Sequence, residues 1–124
     1  MDERIEVSVD PIRLQQIITN LLNNAKQATD DSRKIEAKIT ADKEDVMIDI
    51  SNTGIGIQKK EQTFIFERFY RGENKKYKVS GLGLGLPFSK MIAQALGGDL
   101  ILLSSSSKGT TFRIILPKSE IIGE

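Results

Sequence analysis

The residues of this chain best equipped for chemistry are neutral ones. Asn20, Asn24 and Gln27 recur at spacings of four and three. At ~100° per residue, those spacings line them up along one edge of a helix. A carboxamide oxygen can ligate a hard cation, and its nitrogen can donate to a phosphate oxygen. Gly54 and Gly56 would let the backbone bend and approach a ligand closely. Gly81, Gly83 and Gly85 precede a second helix, whose free N–H groups and dipole favour an anion. Between the two glycine clusters, Arg68, Arg71, Lys75, Lys76 and Lys78 face only Glu67 and Glu73. Each feature has a plain alternative: a solvated polar helix edge, a structural turn, a solvated loop. Together they suit a magnesium-bound polyphosphate beneath a lid.

These groups need elements to position them. Asp10–Asp30 reads as one long helix, with Asp10 as cap and Pro11 in the first position. Leu14, Ile17, Ile18, Leu21, Leu22, Ala25 and Ala28 recur at the helical period and form its apolar face. Asparagine is a poor helix former, and the three at 20, 23 and 24 cost this helix roughly 1–2 kcal/mol against alanine. Ahead of the helix, Ile5–Val9 alternates as a short strand. Lys34–Thr40 and Asp45–Ser51 alternate as well, and the connection Ala41–Glu44 makes them an antiparallel hairpin. No strong periodicity survives from Gln58 to Ser80, where Phe64, Phe66, Phe69 and Tyr70 supply an aromatic anchor. A second helix is expected over Leu86–Leu96, tolerating Pro87 in its first turn and ending at Gly97-Gly98. Asp99–Ser104 and Thr110–Leu116 read as two closing strands. About five strands and two long helices, without strand–helix alternation, give an α+β fold. The expected form is a two-layer sandwich: a mixed, mostly antiparallel sheet covered on one face by helices, with a lid.

Composition narrows the classes. The 124 residues suffice for one domain with one core, and 39% hydrophobic content makes the chain globular. A formal charge of +1 gives no global reason to expect nucleic acid. Without cysteine, disulfides and thiolate metal sites are excluded. No apolar run reaches membrane-spanning length, and no signal peptide is read at the start. Gly81–Gly85 is neither a Walker A loop nor a dinucleotide fingerprint, because its spacing is G-x-G-x-G and no Gly-Lys-Ser/Thr follows.

Four blocks carry a family resemblance, which runs from about Ile5 to Pro117. Asn20-Leu-Leu-Asn-Asn24-Ala resembles an asparagine box, and Asn52-Thr-Gly54-Ile-Gly56-Ile57 a first glycine box. Phe66-Glu-Arg-Phe69-Tyr70-Arg71 resembles a phenylalanine box, and Gly81-x-Gly83-Leu-Gly85-Leu a second glycine box. Lys108-Gly109-Thr110-Thr111-Phe112 resembles the closing strands. In this order the blocks are those of the ATP-binding catalytic domain of sensor histidine kinases, within the superfamily of DNA gyrase, MutL and heat-shock chaperones. The resemblance implies ATP and Mg²⁺ as ligands. Asn24 would hold the metal through its amide oxygen, with Asn20 supporting metal and phosphates. Gly54, Gly56 and Ile57 would pass beside adenine, with Asn52 accepting from its amine and Thr110 nearby. Arg71, Tyr70, Arg68 and Lys76 would reach phosphate oxygens from the lid. Gly81, Leu82, Gly83, Leu84, Gly85 and Leu86 would bring backbone N–H groups to the phosphates. Gln27 would lie on the phosphate side.

Two positions depart from the family pattern. Asn52 stands where the first glycine box usually begins with Asp; an amide accepts the same bond without charge, and charged bonds are roughly twice as strong. ATP binding is therefore expected to persist but weaken. Gln27 and Ala28 stand where many relatives carry Lys and Tyr, which removes one phosphate-facing cation. A further position discriminates kinase from ATPase. Hydrolytic relatives carry a water-activating Glu four residues before the magnesium Asn; here that position is Asn20, an amide that cannot take a proton. Slow hydrolysis is expected.

The chain contains no histidine. The acceptor of a histidine kinase would then lie on a separate dimerisation domain, making this sequence a fragment with Met1 an introduced start. The resemblance further implies a response regulator as partner, an isolated domain that is monomeric, and a cytoplasmic place whether or not the parent is membrane-anchored. Two alternatives stand beside this reading: an anti-sigma-factor-type serine kinase, and a degenerate module that holds nucleotide without transferring phosphate.

Overall fold

The computed structural model describes residues 7, 9–28, 34–54, 56–67 and 85–118. Helix α1 spans Pro11–Ala28. Asp10 caps it: the Ile12 N–H donates to Asp10 Oδ1 at 2.9 Å, and the Leu14 N–H donates to the Asp10 carbonyl at 3.1 Å. Such a cap is worth about 1 kcal/mol. Ile17, Leu21 and Ala25 are buried and Leu14 and Ile18 half-buried, so they form the inward face. Leu22 does not belong to it: it is 37% exposed, one position round from Leu21.

Strands β1 (Ile35–Ala41) and β2 (Asp45–Asn52) form the expected hairpin, with Ile35 opposite Asn52 and Ala41 opposite Val46. Asp42 makes the turn, accepting from the N–H groups of Glu44 and Asp45 at 2.8 and 2.7 Å. Those two bonds, the Asp45 one first, hold its carboxyl below the usual aspartate range. A short 3₁₀ turn, Lys59–Glu61, follows. Ile65 is buried beyond it, and Phe66 meets the Phe112 ring edge-to-face at 6.1 Å. Phe64 is exposed, so the aromatic anchor narrows to Phe66; Phe69 and Tyr70 lie outside the described residues.

Helix α2 spans Gly85–Ala95 and packs on α1. It stops where two glycines allow it. Gly97 has φ +89°, its N–H donates to Gln94, and the Gly98 N–H reaches back to Ala93. That pair of bonds around a left-handed residue is a Schellman stop. Strands β3 (Asp99–Ser106) and β4 (Gly109–Pro117) close the described chain.

The sheet order is β1-β2-β4-β3, and every neighbouring pair is antiparallel. The expected mixed sheet is thus wholly antiparallel among the described residues. The reason is topological: β2 and β3 do run parallel, but β4 is inserted between them. The expected strand at Ile5–Val9 falls largely outside the described residues; Val7 and Val9 are described, are not in a strand, and pack against the core. Four strands are described in place of about five.

One face of the sheet meets both helices. β4 alternates perfectly, burying Thr110, Phe112, Ile114 and Leu116. Phe112, Ile114 and Leu116 join Ile48 and Ile50 of β2, Leu100 of β3, and Ile17, Leu21, Leu86, Ile92 and Ala93 from the helices in one core. On the opposite face, Arg113 donates twice to Asp49, at 2.8 and 3.0 Å, from directly opposite positions of β4 and β2. This fork raises the guanidinium above its ordinary value, chiefly through the hydrogen bond to Asp49.

Candidate functional site

The helix end of the site is built from α1 and the start of α2. Asn20 and Asn24 lie one turn apart on α1. Asn24 is 4% exposed, and its Oδ1 has no hydrogen-bond partner among the described residues. A buried, unmatched amide oxygen costs about 1–3 kcal/mol, which makes it a place built for something to arrive. Asn20 is half-buried, and its Nδ2 donates to Ser89 Oγ of α2 at 3.0 Å. Gln27 is exposed, so the carboxamide stripe runs out of the site at its C-terminal end. Gly85 and Leu86, buried, open α2, and Gly85 lines the same groove as Asn20. That groove holds about 570 Å³ and has Ile12, Thr19 and Phe88 among its other walls.

The sheet end is built differently. The β2–β4 register sets Asn52 directly opposite Thr110, and both are buried. Asn52 Nδ2 donates to the Thr53 carbonyl at 2.9 Å, which identifies its oxygen as the remaining end. Gly54, Gly56 and Ile57 are buried as well. Gly56 has φ +80°, and a Cβ there would overlap the Ser106 carbonyl. Glycine is required on both counts. The Ile57 N–H donates to Ser105 Oγ at 2.7 Å, and Ser105 Oγ is 2.9 Å from Thr110 Oγ1. This hydroxyl relay ties the glycine bend to the β3–β4 hairpin. Asn52 and Thr110 share a polar cavity of about 250 Å³ with Ser51, Thr53 and Lys108.

Behind the site, Lys90 holds the middle of α2. Its ammonium donates to Asp99 Oδ1 at 3.0 Å and to the Leu100 carbonyl at 2.8 Å, and lies 4.7 Å from the Phe66 ring centre. Burial would raise the Asp99 carboxyl, but the bonds from Lys90 and the Leu100 N–H outweigh it and hold it below the usual range.

Of the residues singled out in the sequence, Asn20 and Gly85 line one groove at the helix end, with Asn24 one turn along α1; at the sheet end Asn52 and Thr110 lie opposite one another, and Gly56 and Ile57 pack against the β3 residues Ser105 and Ser106. Arg68, Tyr70, Arg71, Lys76, Gly81, Leu82, Gly83 and Leu84 lie outside the described residues. Two participants escaped the sequence reading. Ser89 carried a usable signal, being polar at a helical position flanked by Leu86, Ile92 and Ala93 of the core. Ser105 carried none, standing in a run of four serines.

Residues 9–120 match the family described as histidine kinase-, DNA gyrase B-, and HSP90-like ATPase. The signal transduction histidine-protein kinase ArlS of Staphylococcus aureus (strain USA300) is 34% identical over 114 residues, 91% of this chain and 25% of that protein. ArlS of strain COL gives the same figures. The chain thus spans a quarter of the length of these curated relatives. Among solved structures, a mycobacterial sensor histidine kinase, MprB, superposes with a TM-score of 0.78 at 27% identity. That match covers 93% of this chain and 78% of the MprB chain. No helix among the described residues is long and apolar enough to cross a membrane. With the asparagine pair, the glycine bend and the sheet order in place, the sequence match over nearly the whole length settles the affiliation: the chain belongs to the histidine kinase-, DNA gyrase B- and HSP90-like ATPase family.

Proposed function

We propose that this chain binds Mg²⁺-ATP between α1 and the start of α2 and presents the γ-phosphate to a histidine on another domain. The observation that carries the reading is Asn24: its buried Oδ1 lacks a partner among the described residues. Among them no three His, Cys, Asp or Glu stand together as a metal cluster. A divalent cation would have carboxamide, water and phosphate oxygens as donors, a set that suits Mg²⁺. The residues therefore fit the metal, with Asn24 as ligand and Asn20 beside it. When bound, the metal would neutralise charge on the phosphates.

This chain's own groups would do the rest. The N-terminal N–H groups of α2 attract phosphate oxygens. At the sheet end, Asn52 Oδ1 would accept from the adenine amine, and Gly56 would let the backbone lie against the ring. By the family resemblance, Arg68, Tyr70, Arg71 and Lys76 would reach phosphate oxygens. Asn20 cannot act as a general base, so water is not activated. A neutral imidazole needs no such base near pH 7. The chain lacks histidine, and the relatives' names are those of histidine kinases. The acceptor would therefore come from another domain. A response regulator downstream and a cytoplasmic location belong to the same proposal.

The experiment is a titration with ATP, with and without Mg²⁺. It is followed by incubation of this chain and labelled ATP with the histidine-bearing dimerisation domain of a homologous kinase. Magnesium-dependent binding and an acid-labile phosphate on the acceptor are expected. An acid-stable phosphate on serine, or no magnesium-dependent binding, overturns the reading.

A further inference from the structure

We propose that the Thr53 backbone carbonyl makes Asn52 a one-way reader of the base, so that the site favours 6-aminopurine nucleotides over 6-oxopurine ones despite the amide standing where an acid is usual. The proposal rests on the magnesium-nucleotide reading of the site and names which bases that site admits.

Asn52 is where base selection should be weakest. A carboxylate can only accept, so it suits an exocyclic amine and repels an exocyclic oxygen. A carboxamide has an accepting end and a donating end of nearly equal size, on a broad, two-fold terminal torsion. Left free, it would accept from the 6-amino group of adenine. Turned over, it would donate equally well to the 6-oxo group of hypoxanthine or guanine. Residue type alone therefore points to relaxed selection.

The surroundings of Asn52 point the other way. Its Nδ2 lies 2.9 Å from the Thr53 carbonyl oxygen. A backbone carbonyl has no proton to give, so only the N–H₂ end can occupy that place. The reversed amide would set two acceptors against each other and forfeit the bond, which disfavours it by about ten- to a hundredfold. Asn52 is 6% exposed, so little room remains for another arrangement. Thr53 is itself fixed from both sides: its N–H donates to the Lys34 carbonyl at 2.9 Å, and its Oγ1 accepts from the Lys34 N–H at 3.2 Å. The oxygen of Asn52 is thus the end left for a ligand. The nitrogen's second proton is displaced from the position that the oxygen occupies, so a 6-oxo group could reach it only by moving the base. Asn52 stands opposite Thr110, which belongs with Phe112 and Ile114 to the helix-facing set of β4. The reader therefore lies on the covered side of the sheet, the side on which α1 carries Asn24.

The test compares ATP with ITP, its 6-oxo counterpart, in Mg²⁺ titrations of the unaltered chain, Asn52→Asp and Asn52→Ala, alongside thermal melts. The unaltered chain should bind ATP about ten- to a hundredfold more tightly than ITP. Asn52→Asp should keep that preference, and Asn52→Ala should reduce it to within about threefold. In the free chain, one Asn52 Nδ2 proton should exchange with solvent more slowly than the side-chain amide protons of the exposed Gln15. Equal affinities for ATP and ITP in the unaltered chain overturn the proposal, as does a full preference in Asn52→Ala or exchange at Asn52 as fast as at Gln15. Absence of magnesium-dependent binding of either nucleotide by the unaltered chain overturns instead the reading on which it rests.

Discussion

The two ends of the candidate site are built on opposite principles. At the sheet end, polar groups are spent on neighbours: Ile57 N–H on Ser105, Ser105 on Thr110, Asn52 Nδ2 on Thr53. The backbone there is packed so closely that Gly56 has no room for a methyl group. At the helix end, Asn24 keeps a buried oxygen with no partner among the described residues. One end is finished and reads a shape. The other keeps a buried oxygen unmatched among the described residues, which the proposed ligand would complete. The difference teaches which substitutions should damage folding and which should damage binding alone.

The largest expected effect breaks the finished end. Gly56→Ala forces a Cβ into the Ser106 carbonyl at a positive φ, and should cost about 3 kcal/mol or more of stability. Denaturant melts measure it; a loss below ~1 kcal/mol would mean that this end is softer than its packing implies. Next comes the unfinished end. Asn24→Ala should lower affinity for Mg²⁺-ATP by about ten- to a hundredfold while leaving the free protein's stability within ~1 kcal/mol of the original, since no bond to the oxygen is lost. Calorimetry and melting together check it, and equal damage to both would erase the contrast between the ends.

A smaller effect lies at Asn52. Asn52→Asp would offer adenine a charged acceptor, raising ATP affinity by up to about tenfold. It would also lose the donor to the Thr53 carbonyl, lowering stability by about 1 kcal/mol. The signature is the opposite sign of the two changes, read by calorimetry and melting. The smallest effect concerns acid. Asp99 has a lowered pKa in the folded protein, so the unfolded chain binds its proton more readily. Its stabilising contribution is present above the unfolded value of about 4 and is lost as pH falls through the folded one. Asp99→Asn should flatten the loss of stability below about pH 4 without altering the magnesium dependence of binding. Urea midpoints taken across pH 2–6 test this.

Much of this was legible from residue order because the signals were local. Asp10 before Pro11, the Asp42 turn and the paired glycines at 97–98 each act within a few residues, and each acts as its chemistry dictates. The alternation of β4 was equally plain. What escaped was set by contacts between distant segments. Periodicity gives Leu21 and Leu22 equal claim to the core, but only the position of the sheet decides that Leu22 stays out. The antiparallel order depends on β4 coming to lie between β2 and β3, which no short stretch encodes. Asn20 could be singled out from its spacing, yet its partner lies 69 residues away. At the site, residue types were readable and pairings were not.

The fork between Arg113 and Asp49 has a consequence for how the chain avoids misassembly. It spans the two central strands at directly opposed positions on the uncovered side. Sliding β4 by a single residue would turn its outward set inward and drive the guanidinium into the hydrocarbon interior without a counterion, a penalty of several kcal/mol. Sliding it by two would keep the sides but leave Asp49 facing Thr111 or Ile115. The ion pair thus acts as a proofreading mark, making every shifted alignment of the innermost strands more costly than the native one.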